Sequence, residues 1–281
     1  MNYSEIIKNA LKEDIGKGDI TTRLIIPRYK KAKAVLLAKD NFVVCGIDLA
    51  KEVFRSLDKG IKFQARVKDG EWAKKGKILA KISGRARSIL SAERVALNFL
   101  CLLSGIATKT KDYVDRVKPY PVKVLDTRKT IPGLRFLEKY AVRCAGGFNH
   151  RMGLDEMVMI KDNHLIISPV DGLWLIVDGL KKKNRKIEIE VKSLKEFKGA
   201  LALKPDIILL DNMSTLDLKK AVRIRDGQLA IDHRLSTKLE ASGGITLKNI
   251  RRIAATGVEL ISVGALTHNV ESKDISLEFI A

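Results

Sequence analysis

Arg128, Lys129, His150, Arg151 and Lys161 form a cationic set suited to a small substrate that carries carboxylates. A guanidinium can grip a carboxylate through two parallel hydrogen bonds, which a lysine cannot do. Glu190 and Asp211 are oxygen donors, too few for a dedicated metal cage. They suit a magnesium ion that keeps waters and leans on substrate phosphates. Ser242-Gly243-Gly244 precedes a helix expected at 247–255, so bare backbone N–H groups there can hold a phosphate. A lone Gly-Gly is usually only a turn, and its late position in the chain raises its interest.

What these groups share is their place after apolar runs. Strands are expected at Val122–Leu125, Met157–Ile160, Ile187–Val191, Ile207–Leu210 and Glu259–Val263, with weaker candidates at Ala141–Ala145 and Lys238–Ala241. Helical stretches such as Leu194–Leu203 and Leu216–Arg225 lie between them, and that alternation specifies a parallel sheet. About seven such units in roughly 160 residues suit a barrel better than a doubly wound sheet. Asp126-Thr127-Arg128-Lys129 follows the first run and Lys161-Asp162-Asn163-His164 the next. Glu190 and Asp211 sit at strand ends, and Ser242-Gly243-Gly244 and Gly264-Ala265 follow the last two runs. One charged residue after a strand is usually a helix cap or a solvated loop. So many in register mark the face where barrel strands end and active sites form.

Ahead of the barrel, residues 1–15 read as a helix, followed by a polar turn at Gly16-Lys17-Gly18-Asp19. Strand-like runs follow at Ala32–Ala38, Asn41–Cys45, Ile61–Val67 and Ile78–Ile82. Gly70 and Gly76 bracket a hairpin-like turn, but it lacks the modifiable lysine of a carrier domain and reads as an ordinary sheet turn. From Ser88, apolar Ile89, Ala92, Ala96, Phe99, Leu103 and Ile106 recur at helical spacing, giving a helix that links the two parts. Asp226–Thr237 carries no clear period: it extends the preceding helix, forms a loop or hides a strand.

The chain has 281 residues, 46% hydrophobic and 31% charged, with a formal net charge of +20. That is a globular composition with a leaning towards anionic partners. Cys45, Cys101 and Cys144 show no CxxC spacing, which argues against both a disulfide framework and a zinc ribbon and fits a reducing cytoplasm. No signal peptide is expected, and Val95–Ala107 is too short an apolar run to span a membrane. Neither a GxxxxGK[ST] loop nor a GxGxxG turn occurs. A nucleic-acid binder would cluster its basic residues among aromatics, but aromatics are 5% and the basic residues are spread out. His164 and His268 read as structural, His233 lacks metal-ligand spacing, and Lys181–Lys183 reads as a solvated helix end.

The sequence resembles the quinolinate phosphoribosyltransferase family. The matching runs are Leu125-Asp126-Thr127-Arg128-Lys129-Thr130 with Pro132-Gly133-Leu134-Arg135, then Glu138-Lys139-Tyr140-Ala141-Val142-Arg143. They continue through Gly146-Gly147-Phe148-Asn149-His150-Arg151-Met152-Gly153-Leu154, Ile160-Lys161-Asp162-Asn163-His164 and Glu240-Ala241-Ser242-Gly243-Gly244-Ile245. Glu13-Asp14-Ile15-Gly16 and Ser91-Ala92-Glu93-Arg94 also fit, so the resemblance spans nearly the whole chain.

The resemblance implies an α/β protein with an N-terminal open-faced α/β sandwich (residues 1–105, with the linking helix) and a C-terminal incomplete, seven-stranded β/α barrel (residues 106–281). It leaves the C-terminal tail free to return to the first domain. The implied reaction joins quinolinate to phosphoribosyl pyrophosphate, releasing pyrophosphate and carbon dioxide and leaving nicotinate mononucleotide, in the cytoplasm, with Mg2+. Lys129, Lys161, Glu190 and Asp211 would be catalytic, the last two also near the metal. Arg94, Thr127, Arg128, His150, Arg151, Ser242, Gly243, Gly244, Gly264, Ala265 and His268 would bind substrate. A homodimer is implied in which Arg94 enters the partner's site, able to assemble further, with no nucleic-acid or membrane partner. A paralogue associated with molybdenum transport, or one using nicotinate, is the nearest alternative; a monocarboxylate would not require the full cationic set.

Overall fold

The computed structural model describes residues 3–167, 177–180, 185–231 and 236–280. His233, the Lys181–Lys183 run and part of Asp226–Thr237 lie outside the described residues. Contacts divide the chain into two compact units, the first comprising residues 1–111, 130–146 and 266–281, the second 112–129 and 147–265.

The first unit is built on a four-stranded antiparallel sheet. Strands β1 (Lys31–Ala38), β3 (Lys62–Ala65), β5 (Ile78–Arg85) and β12 (Ile275–Ile280) lie in the order β12-β1-β5-β3, and β2 (Phe42–Val43) pairs with β4 (Trp72–Ala73). The C-terminal strand therefore pairs with β1, Ala34 opposite Phe279. Helices α1 (Ser4–Ile15) and α2 (Ile20–Ile25) come first, with Asp19 capping α2 through the Thr22 N–H at 2.9 Å. Helix α3 (Ile47–Leu57) was not expected from the sequence. Its buried Ile47, Ala50, Val53 and Phe54 have helical spacing, but its cap comes from far along the chain. Asp69 Oδ1 accepts the N–H groups of Gly46 (2.9 Å) and Ile47 (3.0 Å).

Helix α4 (Ala86–Val117) has 32 residues, longer than the linking helix expected. One 18-residue window has a mean hydropathy of 1.5, apolar enough to cross a membrane, yet 61% of it is buried within the protein. It is a core helix. Two hydroxyls on it satisfy strand edges that would otherwise be orphaned. Thr108 Oγ1 accepts the Val43 N–H at 3.0 Å, and Ser104 Oγ accepts the Cys45 N–H at 3.1 Å. The stretch Ala141–Ala145, weighed as a strand, is instead the end of helix α5 (Arg135–Cys144). Leu137, Ala141 and Val142 are buried one turn apart, and that spacing, not alternation, sets the element.

In the second unit, β6 (Lys123–Leu125), β7 (Val158–Ile160), β8 (Ile187–Val191), β9 (Ile207–Asp211), β10 (Lys238–Ser242) and β11 (Leu260–Ser262) make a parallel sheet ordered β6-β11-β10-β9-β8-β7. First and last strands in sequence are hydrogen-bonded neighbours, as happens when a sheet rolls up. The seventh position is a single parallel bridge, Leu125 to Phe148, on the free side of β6. The barrel is thus incomplete between residue 148 and β7, with no strand pairing there among the described residues. Leu125, Met157, Ile207 and Leu260 pack together in its interior.

Helices α6 (Asp162–Ile167), α7 (Leu194–Ala202), α8 (Thr215–Ile231), α9 (Ile250–Ala254) and α10 (Ala265–His268) follow strands in turn. Ser193 caps α7 through the Glu196 N–H at 3.2 Å, and Glu196 Oε2 accepts the Lys192 N–H at 2.8 Å. The uncertain stretch from Asp226 extends α8 to Ile231. Buried Arg225 then ties this helix to the strand starts, bonding Thr237 O at 3.2 Å and Glu259 Oε1 at 2.7 Å.

Thr108→Val keeps the shape of a buried side chain but leaves the Val43 N–H without an acceptor. The expected loss is about 1–3 kcal/mol, read as a lower urea midpoint at unchanged slope. An unchanged midpoint would mean that water satisfies Val43 instead.

Candidate active site

Parallel strands end on one side, so Thr127–Lys129 after β6, residues 149–151 after the bridge, Lys161 after β7, and the ends of β8, β9 and β10 share one rim of the barrel. Gly264 and Ala265 follow β11 at the same rim. Arg128 and Lys129 are exposed, and Thr127 Oγ1 accepts the Lys129 N–H at 3.1 Å, which shapes the turn that presents them.

Arg151 is the most constrained cation. Its Nη1 donates to Met157 O at 2.9 Å, and its Nε is buried without a hydrogen bond. Burial and the nearby charge of Arg128 pull its pKa down, and Glu188 works in the opposite sense. Two guanidiniums held near each other form a receptor for an anion. Lys161 Nζ lies 3.0 Å from Glu190 Oε2, so these two rim residues hold each other.

Glu190 and Asp211 lie on neighbouring parallel strands, both partly exposed. Asp211 Oδ2 accepts from Asn212 Nδ2 at 3.1 Å. As two accessible carboxylates without a surrounding cage, they fit a divalent ion that takes its other ligands from substrate and water. Ser242 pairs in register with Asp211 and is followed by Gly243 (φ 88°) and Gly244 (φ 60°). The Asn212 side chain occupies the space of a Cβ at Gly243, and the positive φ there favours glycine. The helix expected from 247 begins only at Ile250, because Asn249 Oδ1 accepts the Thr246 N–H (2.8 Å) and its Nδ2 donates to Gly244 O (2.9 Å) in a turn. Any phosphate here would meet the glycine backbone and not a helix N-terminus. His164 Nδ1 accepts the Lys161 N–H at 3.0 Å, a local structural role, and His268 is exposed at the end of α10.

His150 lies deeper than the rim cations. Its ring turns inward and is almost buried, with Nε2 3.1 Å from Glu188 Oε2 and 3.6 Å from Glu240 Oε1. Asp126, fully buried, fixes this segment by accepting the His150 N–H at 3.0 Å and the Asn149 amide. Glu188 and Glu240 are the site residues that sequence reasoning missed. Both are fully buried, and despite the close imidazole none of their four side-chain oxygens has an aligned hydrogen bond. The signal was Ile-Glu-Ile-Glu-Val, where period two puts Glu188 on the same face as Glu190 but deeper.

The ligand atoms of His150, Glu188 and Glu240 lie within 4.8 Å of one another, as around a metal. The imidazole argues against one. His150 Nδ1 accepts the Arg151 N–H at 2.8 Å, so the ring proton sits on Nε2 and blocks coordination. A shared proton is the simpler resolution: burial, then the charge of Glu188, pushes Glu240 up to about 8.

Two family descriptions match the sequence, "Quinolinate phosphoribosyl transferase, N-terminal domain" over residues 19–104 and the "C-terminal domain" over residues 106–278. A Methanocaldococcus jannaschii protein named probable nicotinate-nucleotide pyrophosphorylase [carboxylating] is 44% identical over 280 residues, covering 98% of this chain and 96% of its own. The Nicotiana tabacum mitochondrial quinolinate phosphoribosyltransferase [decarboxylating] 2b is 41% identical, covering 99% of this chain and 82% of its own. The crystal structure of nicotinate-nucleotide pyrophosphorylase from Ehrlichia chaffeensis superposes with a TM-score of 0.91 at 41% identity, over 100% of this chain and 99% of that one.

The raised pKa of Glu240 sets a sign for stability. The folded protein holds this proton more tightly than the unfolded chain does. The stabilisation is therefore complete below about 4.5, the ordinary value, and is lost as pH rises through about 8. Glu240→Gln keeps the neutral shape, so its stability should not fall across that window, while the unsubstituted protein loses on the order of a few kcal/mol relative to it. Parallel pH curves for the two proteins in urea would contradict a buried proton on Glu240.

Proposed function

The chain belongs to the quinolinate phosphoribosyltransferase family, and on that premise we propose how its barrel rim works. The reaction is transfer of the phosphoribosyl group of phosphoribosyl pyrophosphate to quinolinate with decarboxylation, giving nicotinate mononucleotide, pyrophosphate and carbon dioxide in NAD biosynthesis. The observation that carries the substrate end is the proximity of Arg128 and Arg151. A dicarboxylate relieves their repulsion, and Lys129 and Lys161 add cations beside it. His150 stands beside them and also holds the Arg151 backbone through Nδ1.

Glu190 and Asp211 face the ribose. Departure of pyrophosphate builds oxocarbenium character at the anomeric carbon, which nearby carboxylates stabilise. The same two residues would hold Mg2+, which neutralises pyrophosphate charge when bound. The pyridine nitrogen is a poor nucleophile, so holding it in line matters more than activating it. Loss of carbon dioxide leaves an electron pair beside a pyridinium nitrogen, which stabilises it without a protein nucleophile. Ser242, Gly243 and Gly244 with Gly264 and Ala265 take the 5-phosphate, and His268 follows that loop. Three free cysteines fit a soluble enzyme of a reducing cytoplasm, and the +20 charge draws in anionic substrates.

The working unit is a dimer with shared sites. Exposed Ile20 (73%), Leu24 (81%), Ile25 (70%) and Tyr29 (85%) on and after α2 support self-association, and Arg94 stands exposed on α4. The direct test is release of carbon dioxide and pyrophosphate from quinolinate, phosphoribosyl pyrophosphate and magnesium, with nicotinate as the control. Equal use of nicotinate would overturn the dicarboxylate reading.

Arg128→Lys should lower kcat/KM by about tenfold or more although charge is kept, since an ammonium cannot replace a planar fork. Unchanged turnover at subsaturating quinolinate would remove Arg128 from the substrate site.

Arg94→Ala and Lys161→Ala should each be nearly inactive alone. Dissociated, mixed equally and reassociated, about half the dimers are mixed and hold one intact site, so roughly a quarter of full activity should return. Subunit exchange proved by native mass spectrometry, with no recovery, would rule out sharing between chains.

A further inference from the structure

We propose that Cys144 and Cys45 are an oxidisable thiol pair, in which a peroxide oxidises Cys144 and Cys45 then closes a reversible disulfide within the chain. The two lie far apart in sequence but meet in the first unit. Their sulfurs and a carboxylate oxygen of Asp69 are all within 4.8 Å of one another. Cys45 is completely buried just after β2, whereas Cys144, the last residue of α5, is partly exposed. An oxidant therefore reaches Cys144 first.

The surroundings favour a thiol pair over a metal site. Both oxygens of Asp69 are committed, Oδ1 to the N–H groups of Gly46 and Ile47 and Oδ2 to the Tyr140 hydroxyl at 2.8 Å. A structural zinc needs four ligands, and the two sulfurs are the only uncommitted ones in this cluster. The backbone at Cys144 is closely packed. Gly70, at φ 89°, abuts the end of α5 so closely that a Cβ there would lie 2.9 Å from Cys144 O. Closure of the disulfide thus falls to side-chain rotation.

The pair is also asymmetric. The neighbouring Cys45 thiol lowers the pKa of Cys144, against burial, which raises it. The nearness of Cys144, and then burial, pushes the Cys45 thiol up. A partly exposed thiol of lowered pKa, beside a buried resolving cysteine, is the arrangement that oxidises selectively. The Cys144 thiolate attacks a peroxide oxygen, the O–O bond breaks, and hydroxide leaves and is protonated to water, giving a sulfenic acid. The Cys45 sulfur then attacks the Cys144 sulfur, the S–O bond breaks and a second water leaves. Two thiols and one hydrogen peroxide become one disulfide and two waters.

The test uses the full-length, fully reduced protein exposed to hydrogen peroxide, with thiol counting and peptide mapping after alkylation. Two of the three thiols should be lost, joined as a Cys45–Cys144 disulfide, with Cys101 still alkylated and dithiothreitol restoring all three. Cys101→Ser should leave the linkage intact, a control that does not disturb the pair. Cys45→Ser should strand Cys144 as a sulfenic acid trapped by dimedone, and Cys144→Ser should protect Cys45. Preferential oxidation of Cys101, no Cys45–Cys144 linkage in folded protein, or a stoichiometric zinc ion shielding both thiols would each overturn the proposal.

Discussion

Bringing cations together where no covalent bond forces them to meet is the constraint on which this site depends. Burial, and then the nearby charge of Arg128, both work against the charge of Arg151. Such an arrangement persists only where the fold over-determines it. Here the backbone does so, since Asp126 anchors the His150 N–H, His150 anchors the Arg151 N–H, and Met157 O receives the Arg151 guanidinium. Each link is a buried or half-buried hydrogen bond, and losing one would leave a polar group without water to replace it.

The rolled sheet converts that local order into a site. Its strands are parallel, so all their carboxyl ends arrive at one rim, and a period of two stacks residues along each inward face. On β8 the deep residue is Glu188 and the rim residue Glu190; on β10 they are Glu240 and Ser242. Depth decides what each carboxyl can do. At the rim Glu190 is reached by water and by Lys161 at 3.0 Å. Below it, Glu240 has no solvent and a like-charged neighbour, and keeping a proton costs less than keeping a charge.

Much of this was legible in the sequence because it is local. The strand runs from 187, 207 and 238 announce themselves by apolar content bounded by turns, and α7 by Ser193 with Glu196 three residues on. What was not legible depends on partners remote in sequence. Helix α3 begins at Gly46-Ile47 with no capping residue of its own, and its acceptor is Asp69. Ala141–Ala145 is apolar enough for a strand, but burial one turn apart with Leu137 makes it the end of a helix. The orientation of His150 could not be read either, because three acidic residues on other strands or their ends draw the segment inward.

The two acidic residues that were missed explain why the cations alone are an incomplete account of the rim. A patch of positive charge with nothing behind it would spread its side chains into water, each to its own solvation shell. Glu188 lies behind Arg151 and offsets part of its desolvation, while Glu240 carries the proton that lets two carboxyls share one apolar interior. Burial, and then the charge of its neighbour, is what keeps the proton on Glu240. From below the rim, Glu188 thus works against both the burial of Arg151 and the like charge of Arg128 beside it.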